Sequence, residues 1–178
     1  MKFAHVRRGG SYYRVVDPTW SDPSDTSYSK RVGGRWNEPD RPGRPGFGAL
    51  YLSATIEVSR ANAARHIQSQ FGPSVTFDDF VLGALPELQH YNLVETDFVD
   101  AVNRIAVGAL GLAASYPRAI PHPPCQGIAA AAYAAGEHGI AVLSAVGVKV
   151  TDEELVVFDR DVARIAAKTQ RVDFAAWY

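Results

Sequence analysis

Residues 30–51 concentrate the side chains that could do chemistry. They include four arginines, Arg31, Arg35, Arg41 and Arg44. A guanidinium group can bind phosphate oxygens through two parallel hydrogen bonds, so this segment is a candidate anion or pyrophosphate site.

Aromatic and glycine residues in the same segment fit a ligand with a flat ring. Trp36 and Tyr51 offer apolar faces on which a base or a nicotinamide ring could stack. Gly33 and Gly34 permit positive φ angles and close backbone approach directly before Arg35. The alternative is a solvated basic loop with one aromatic side chain packed in the core.

Composition excludes several classes of protein. The chain has 178 residues, about one domain, and is 47% hydrophobic and 21% charged, as in soluble globular proteins. Its net charge of −1 argues against bulk electrostatic binding to nucleic acid or to an acidic membrane. One cysteine, Cys125, rules out an internal disulfide. Because residues 1–10 lack an apolar signal and residues 105–114 are too short to span a bilayer, we expect a cytoplasmic protein.

Common catalytic patterns do not fit. Residues 46–48 precede a predicted strand and lack the third glycine of a dinucleotide fingerprint. Ser144 lies in VLSAV and not between the glycines of a nucleophile elbow. The five histidines show no paired metal-ligand spacing, so we expect no metal.

The hydrophobic pattern predicts mixed strands and helices. The predicted strands are residues 11–16, 49–52, 76–85, 91–94, 139–144 and 154–158. The predicted helices are residues 54–69 (with Ser53 as N-cap), 98–114, 126–135 and the first part of 162–177. Proline-rich or polar loops are predicted at residues 17–30, 37–48 and 116–124. This irregular order favours an α+β fold in a single compact domain, residues 1–178, over a doubly wound sheet.

Short motifs occur in a characteristic order along the chain. They are YYR at residues 12–14, GGRWN at 33–37, ALYL at 49–52, CQ at 125–126 and GIAVLSA at 139–145. In this order they resemble the RES domain, the toxin of RES–Xre toxin–antitoxin modules, over a core of about residues 11–158. The resemblance implies an ADP-ribosyltransferase-like fold of mixed small sheets with flanking helices. It also implies NAD+ as the substrate, degraded by hydrolysis or phosphorolysis or used for ADP-ribosyl transfer to a protein.

The resemblance also implies roles for particular residues. Arg14 and Arg35 match family arginines and are expected to hold the pyrophosphate and the ribose. Tyr51 matches the family tyrosine, expected near the nicotinamide-side ribose or ring, where Trp36 could stack. Ser144 matches the family serine and could hydrogen-bond the ligand. The alternatives are surface arginines, a core tyrosine and a serine satisfied by backbone. An Xre-type antitoxin is the expected partner, without direct nucleic-acid or membrane binding.

The catalytic carboxylate is where the chain departs from the family pattern. A glutamate usually follows the tyrosine by eleven residues, and this position holds Asn62. The nearest acid, Glu57, lies five residues earlier, roughly 140° around a helix, so Glu57 and Asn62 are competing assignments. The alternative for Glu57 is a purely structural role, because the helix dipole favours any acidic residue in the first turn of a helix. Two hypotheses follow: an NAD+-consuming toxin enzyme, or a catalytically impaired module that binds NAD+, ADP-ribose or an antitoxin. A scaffold whose basic loop meets an acidic partner is a third.

Overall fold

The computed structural model describes residues 2–80, 85–147 and 149–178. The strands within these ranges are β1 (His5–Val16), β2 (Ala49–Ser53), β3 (Glu87–Ala101), β4 (Gly139–Leu143), β5 (Glu153–Phe158) and β6 (Ala166–Val172). The α-helices are α1 (Ser27–Val32), α2 (Ile56–Phe71), α3 (Arg104–Ala109), α4 (His122–Ala134), α5 (Val162–Ile165) and α6 (Phe174–Trp177).

The strands form one sheet that closes on itself. Its order is β1-β2-β5-β4-β3-β6, and β1 also pairs with β3, so five strands complete a ring of pairings. Among the strand pairs of the described residues, β3 and β4 are parallel and the others are antiparallel. The ring closes through the pair Tyr13↔Ser53 between β1 and β2. The prediction of several small sheets is therefore corrected to one sheet, because the 15-residue β3 is long enough to pair with three other strands.

Side chains on the two faces of the sheet build two cores. Inside the ring, all five strands contribute to one cluster, which includes Tyr12, Leu50, Tyr91, Ala141 and Leu155. Successive side chains of a strand point to opposite faces. The strand residues next to these, such as Ala49 and Val156, therefore point outward. They pack in a second cluster with Trp36 and with Ile128 and Ala132 of α4. Tyr51 packs against this outer cluster, which places it on the α4 side of the sheet.

Helix α2 begins two residues later than predicted. Thr55 is the N-cap, and its hydroxyl accepts a hydrogen bond from Val58 N at 3.2 Å. Ser53 is instead the last residue of β2. Helix α4 begins at His122, four residues before the prediction. It can begin there because Pro123 and Pro124 fall in the first turn, where backbone N–H groups need no partner within the helix.

Two predicted elements are wrong, the helix over residues 98–114 and the strand over residues 76–85. Residues 98–114 are not one helix: β3 continues to Ala101, and α3 covers only Arg104–Ala109, because alternate residues at the end of β3 are drawn into the two cores. Residues 77–79 form a 3-10 turn with a capping box instead of a strand, and residues 81–84 of that prediction lie outside the described residues. The prediction that the first part of residues 162–177 is helical is confirmed by α5, which ends at Ile165, and the strand β6 that follows and pairs with β3 was not predicted.

Candidate active site

A cleft of about 420 Å³ lies between α2, the ends of β4 and β5, and the GGRWN loop. Its polar and aromatic lining residues are Arg35, Trp36, Tyr51, Asn62, Arg65, His66, Ser69, His122 and Glu154. Four of the residues predicted from the sequence therefore meet here: Arg35, Trp36, Tyr51 and Asn62. A second depression lies on a single exposed hairpin, residues 40–45, and combines no distant elements.

The GGRWN motif is a tight turn that presents Arg35 to the cleft. Gly34 N donates a hydrogen bond to Asn37 O at 2.9 Å, which places Arg35 and Trp36 at the tip. A Cβ atom on Gly34 would lie 2.5 Å from Tyr51 Oη, so this position has no room for a side chain. Trp36 packs edge-on against Tyr116, with ring centroids 6.3 Å apart. Since Trp36 is only 1% exposed, it forms the cleft wall mainly as a core residue.

The Tyr51 hydroxyl braces this turn from the neighbouring strand. It donates to Asn37 Oδ1 at 2.8 Å and accepts from Trp36 N at 3.0 Å. Burial raises the pKa of Tyr51, so the phenol is neutral near pH 7. Gln126, from the CQ motif, adds a bond from Nε2 to Gly34 O at 2.8 Å. Motifs distant in sequence thus converge on one network that fixes the loop carrying Arg35.

One face of α2 supplies the opposite wall of the cleft. It carries Asn62, Arg65, His66 and Ser69, which are spaced three and four residues apart. The Asn62 amide nitrogen lies 3.5 Å from Ser53 Oγ at the end of β2. Sequence reasoning missed Arg65, His66 and Ser69, although their helical spacing from Asn62 was a usable signal.

Glu57 lies outside this cleft. It is exposed in the first turn of α2, on a different side of the helix from Asn62. Hydrogen bonds from its own backbone and from Thr55 lower the pKa of Glu57. The structure therefore keeps Glu57 apart from the other predicted catalytic residues.

Glu154 is a cleft carboxylate that sequence reasoning missed. It lies on β5, in register with Ser53 on β2 and with Val142 on β4. Because Glu154 pairs with Ser53, two residues after Tyr51 along β2, it shares the face of the sheet that carries Tyr51. The sequence predicted this strand without showing which strands would flank its acidic end.

Arg14 and Ser144 are not among the residues that line the cleft. Arg14 Nη1 donates to Pro23 O at 2.8 Å, and its guanidinium carbon lies 5.2 Å from the centre of the Trp20 ring. Burial lowers the pKa of Arg14. Ser144 is buried, and its Oγ accepts hydrogen bonds from Val146 N at 3.3 Å and from Gly147 N at 3.1 Å. Ser144 thereby shapes the turn that carries Ala145 and Val146 into the cleft wall.

Residues 2–80, 85–147 and 149–178 contain no group of three His, Cys, Asp or Glu side chains placed to hold a metal ion. The helices within these ranges include none with the length and hydropathy of a membrane span.

The family model of the RES domain matches residues 11–176, so the chain belongs to the RES domain family. A chain of the crystal structure of the M. tuberculosis MbcT–MbcA toxin–antitoxin complex has a similar fold. The TM-score is 0.78 at 23% sequence identity, covering 97% of this chain and 89% of that chain. No curated protein is significantly similar in sequence. The family resemblance and the α+β fold class expected from the sequence are both confirmed.

Proposed function

We propose that this chain is the toxin of a type II toxin–antitoxin module and cleaves the nicotinamide–ribose bond of NAD+. The observation that carries the proposal is the position of Arg35. Its side chain enters the cleft beside Tyr51 and Asn62 and forms no ion pair or hydrogen bond with any described residue. A half-buried guanidinium without a protein partner favours an anionic ligand, and the pyrophosphate of NAD+ suits this geometry.

Different residues of the cleft would bind different parts of such a ligand. Arg35 and Arg65 are the cations that would hold the pyrophosphate, and the Asn62 amide would bind a ribose hydroxyl. Tyr51 forms the wall near the nicotinamide-side ribose. Because positive charge develops on the ribose as nicotinamide leaves, catalysis depends on positioning and electrostatic stabilisation.

The proposal also covers the acceptor of the ADP-ribosyl group and the protein partner of the toxin. Water, phosphate or a protein side chain could take the ADP-ribosyl group. An Xre-type antitoxin is the proposed partner, in keeping with the toxin–antitoxin complex named for the structural relative. The proposed compartment is the cytoplasm, where NAD+ is available.

Arg35→Ala tests the site, with Arg41→Ala as a matched control. Arg41 is an exposed arginine on the hairpin of residues 40–45, outside the cleft. A charge-assisted hydrogen bond contributes about 1.5–3 kcal/mol, so ADP-ribose affinity should fall about 10- to 150-fold in Arg35→Ala. Calorimetry measures the affinity, and nicotinamide release from NAD+ measures turnover. Wild-type affinity and release in Arg35→Ala, equal to those of Arg41→Ala, would refute the assignment of the cleft.

Asn62 favours a second candidate function. An amide cannot offer a negative charge to a cationic ribose, so a chain with Asn62 at the family glutamate position could bind NAD+ or ADP-ribose without turnover. Nicotinamide release is measured with NAD+ alone, with phosphate and with cell lysate. NAD+ binding without release under all three conditions would identify a binding module or an antitoxin-binding partner instead of an enzyme.

A further inference from the structure

Glu154 brings a carboxylate to the corner of the cleft that Asn62 occupies. The Asn62 amide lies 3.5 Å from Ser53 Oγ, and Ser53 is the β2 residue in register with Glu154 on β5. Asn62 and Glu154 therefore approach the same point from a helix and from a strand. Within the described residues that line the cleft, Glu154 is the one acidic side chain.

The Glu154 carboxylate is available to a ligand. It forms no hydrogen bond or ion pair with any described residue, although it is only partly exposed. The adjacent Glu153, which points to the opposite face, binds Arg8 through two hydrogen bonds of 2.8 and 3.0 Å. The two neighbouring glutamates of β5 thus differ, because Glu153 is paired with Arg8 whereas Glu154 lines the cleft without a partner among the described residues.

Arg35 and Glu154 form a bipolar cleft. They carry opposite charges, line the same cleft and are not paired with each other. NAD+ has the same polarity, because an anionic pyrophosphate lies next to a cationic nicotinamide riboside. A ligand with the pyrophosphate at Arg35 can direct its nicotinamide-side ribose towards Glu154.

We propose that Glu154 is a catalytic residue of the NAD+ cleavage proposed above, supplying the negative charge that Asn62 lacks. The C1′–N1 bond of the nicotinamide riboside breaks, and both electrons leave with the ring as neutral nicotinamide. Positive charge develops at C1′ and the ribose ring oxygen, where the Glu154 carboxylate stabilises it electrostatically. When water is the acceptor, it forms the new C1′–O bond and releases its proton to solvent, which gives ADP-ribose.

Glu154→Gln is the central test, because it preserves the size of the side chain and removes the charge. Nicotinamide release should fall about 100-fold or more, the loss found when one electrostatic group of an active site is removed. Affinity for ADP-ribose, which lacks the cationic ring, should stay within about threefold of wild type. Glu154→Asp keeps the charge on a shorter side chain and should give an intermediate rate.

Glu153→Gln is the matched control on the opposite face of the same strand. It breaks the ion pair with Arg8, so it should lower the melting temperature, while the release rate of the folded protein stays unchanged. Release by Glu154→Gln at the wild-type rate would overturn the role of Glu154 and leave the proposed NAD+ cleavage standing. A wild-type protein that binds NAD+ and releases no nicotinamide would instead overturn the proposed cleavage and the catalytic role together.

Discussion

Tyr51→Phe separates a structural role of the tyrosine hydroxyl from a ligand-binding role. In the folded protein this hydroxyl donates to Asn37 Oδ1 at 2.8 Å and accepts from Trp36 N at 3.0 Å. Removing it leaves both partner atoms unpaired, in residues that are at most 1% exposed. The substitution therefore acts on the turn that carries Arg35 before any ligand is present.

The expected loss of stability follows from the two unpaired groups. Each buried group left without a hydrogen bond costs about 1–3 kcal/mol, which gives a range of about 2–6 kcal/mol. Because Tyr51 lines the cleft, water can reach part of the vacated space, and we expect the lower part of the range, about 2–4 kcal/mol. For a chain of this length, the melting temperature should fall by about 5–15 °C.

Urea denaturation followed by circular dichroism measures the change in unfolding free energy. Tyr28→Phe is the matched control, because Tyr28 lies on the surface with 46% of its area exposed and should tolerate the loss of its hydroxyl. ADP-ribose affinity, measured well below the melting temperature of each variant, should fall in Tyr51→Phe, since Arg35 is less firmly held. A Tyr51→Phe protein within about 0.5 kcal/mol of wild type would refute the bracing role.

Two further predictions concern alkaline pH and Ser144. Burial raises the pKa of Tyr12 from 10.0 to about 12 and also raises the pKa of Tyr51 and Tyr116, so the folded state keeps protons that the unfolded chain loses. The free energy of unfolding should therefore fall as pH rises above 10, by about 1.4 kcal/mol per pH unit for each such tyrosine. Urea denaturation at pH 9 and at pH 11 measures this change, and equal midpoints at the two pH values would contradict it. Ser144→Ala should cost about 1–2 kcal/mol of stability, because Val146 N and Gly147 N lose their acceptor. It should reduce ADP-ribose affinity less than Arg35→Ala does, and an equal or larger reduction in calorimetry would show that Ser144 binds the ligand directly.

Local sequence patterns were sufficient to predict features that depend on a single strand or helix. Short apolar runs predicted β2, β4 and β5 almost to their ends. The angular separation of Glu57 and Asn62 on a helix also follows from sequence spacing, and the structure places one outside the cleft and the other in its wall. Such features depend on residues a few positions apart, which a sequence shows directly.

Errors arose where a distant strand decided the conformation. Residues 98–101 are apolar enough for a helix, yet they extend β3, since Val99 and Ala101 pair with β4 in the centre of the sheet. The helix predicted for the first part of residues 162–177 is present as α5, but the strand β6 after Ile165 was missed, because it forms only where an edge of β3 is free to pair with it. In both places, tertiary pairing overrode local preference.

The sequence by itself determined the family and the α+β class, because these depend on short motifs and on local hydrophobic patterns. Only the tertiary structure decided which charges share the cleft. Arg14 is held by Pro23 and Trp20, whereas Glu154 reaches the neighbourhood of Asn62 through its register with Ser53. The physical reason is that strand pairing and burial set the environment of a charged side chain, and both join residues far apart along the chain.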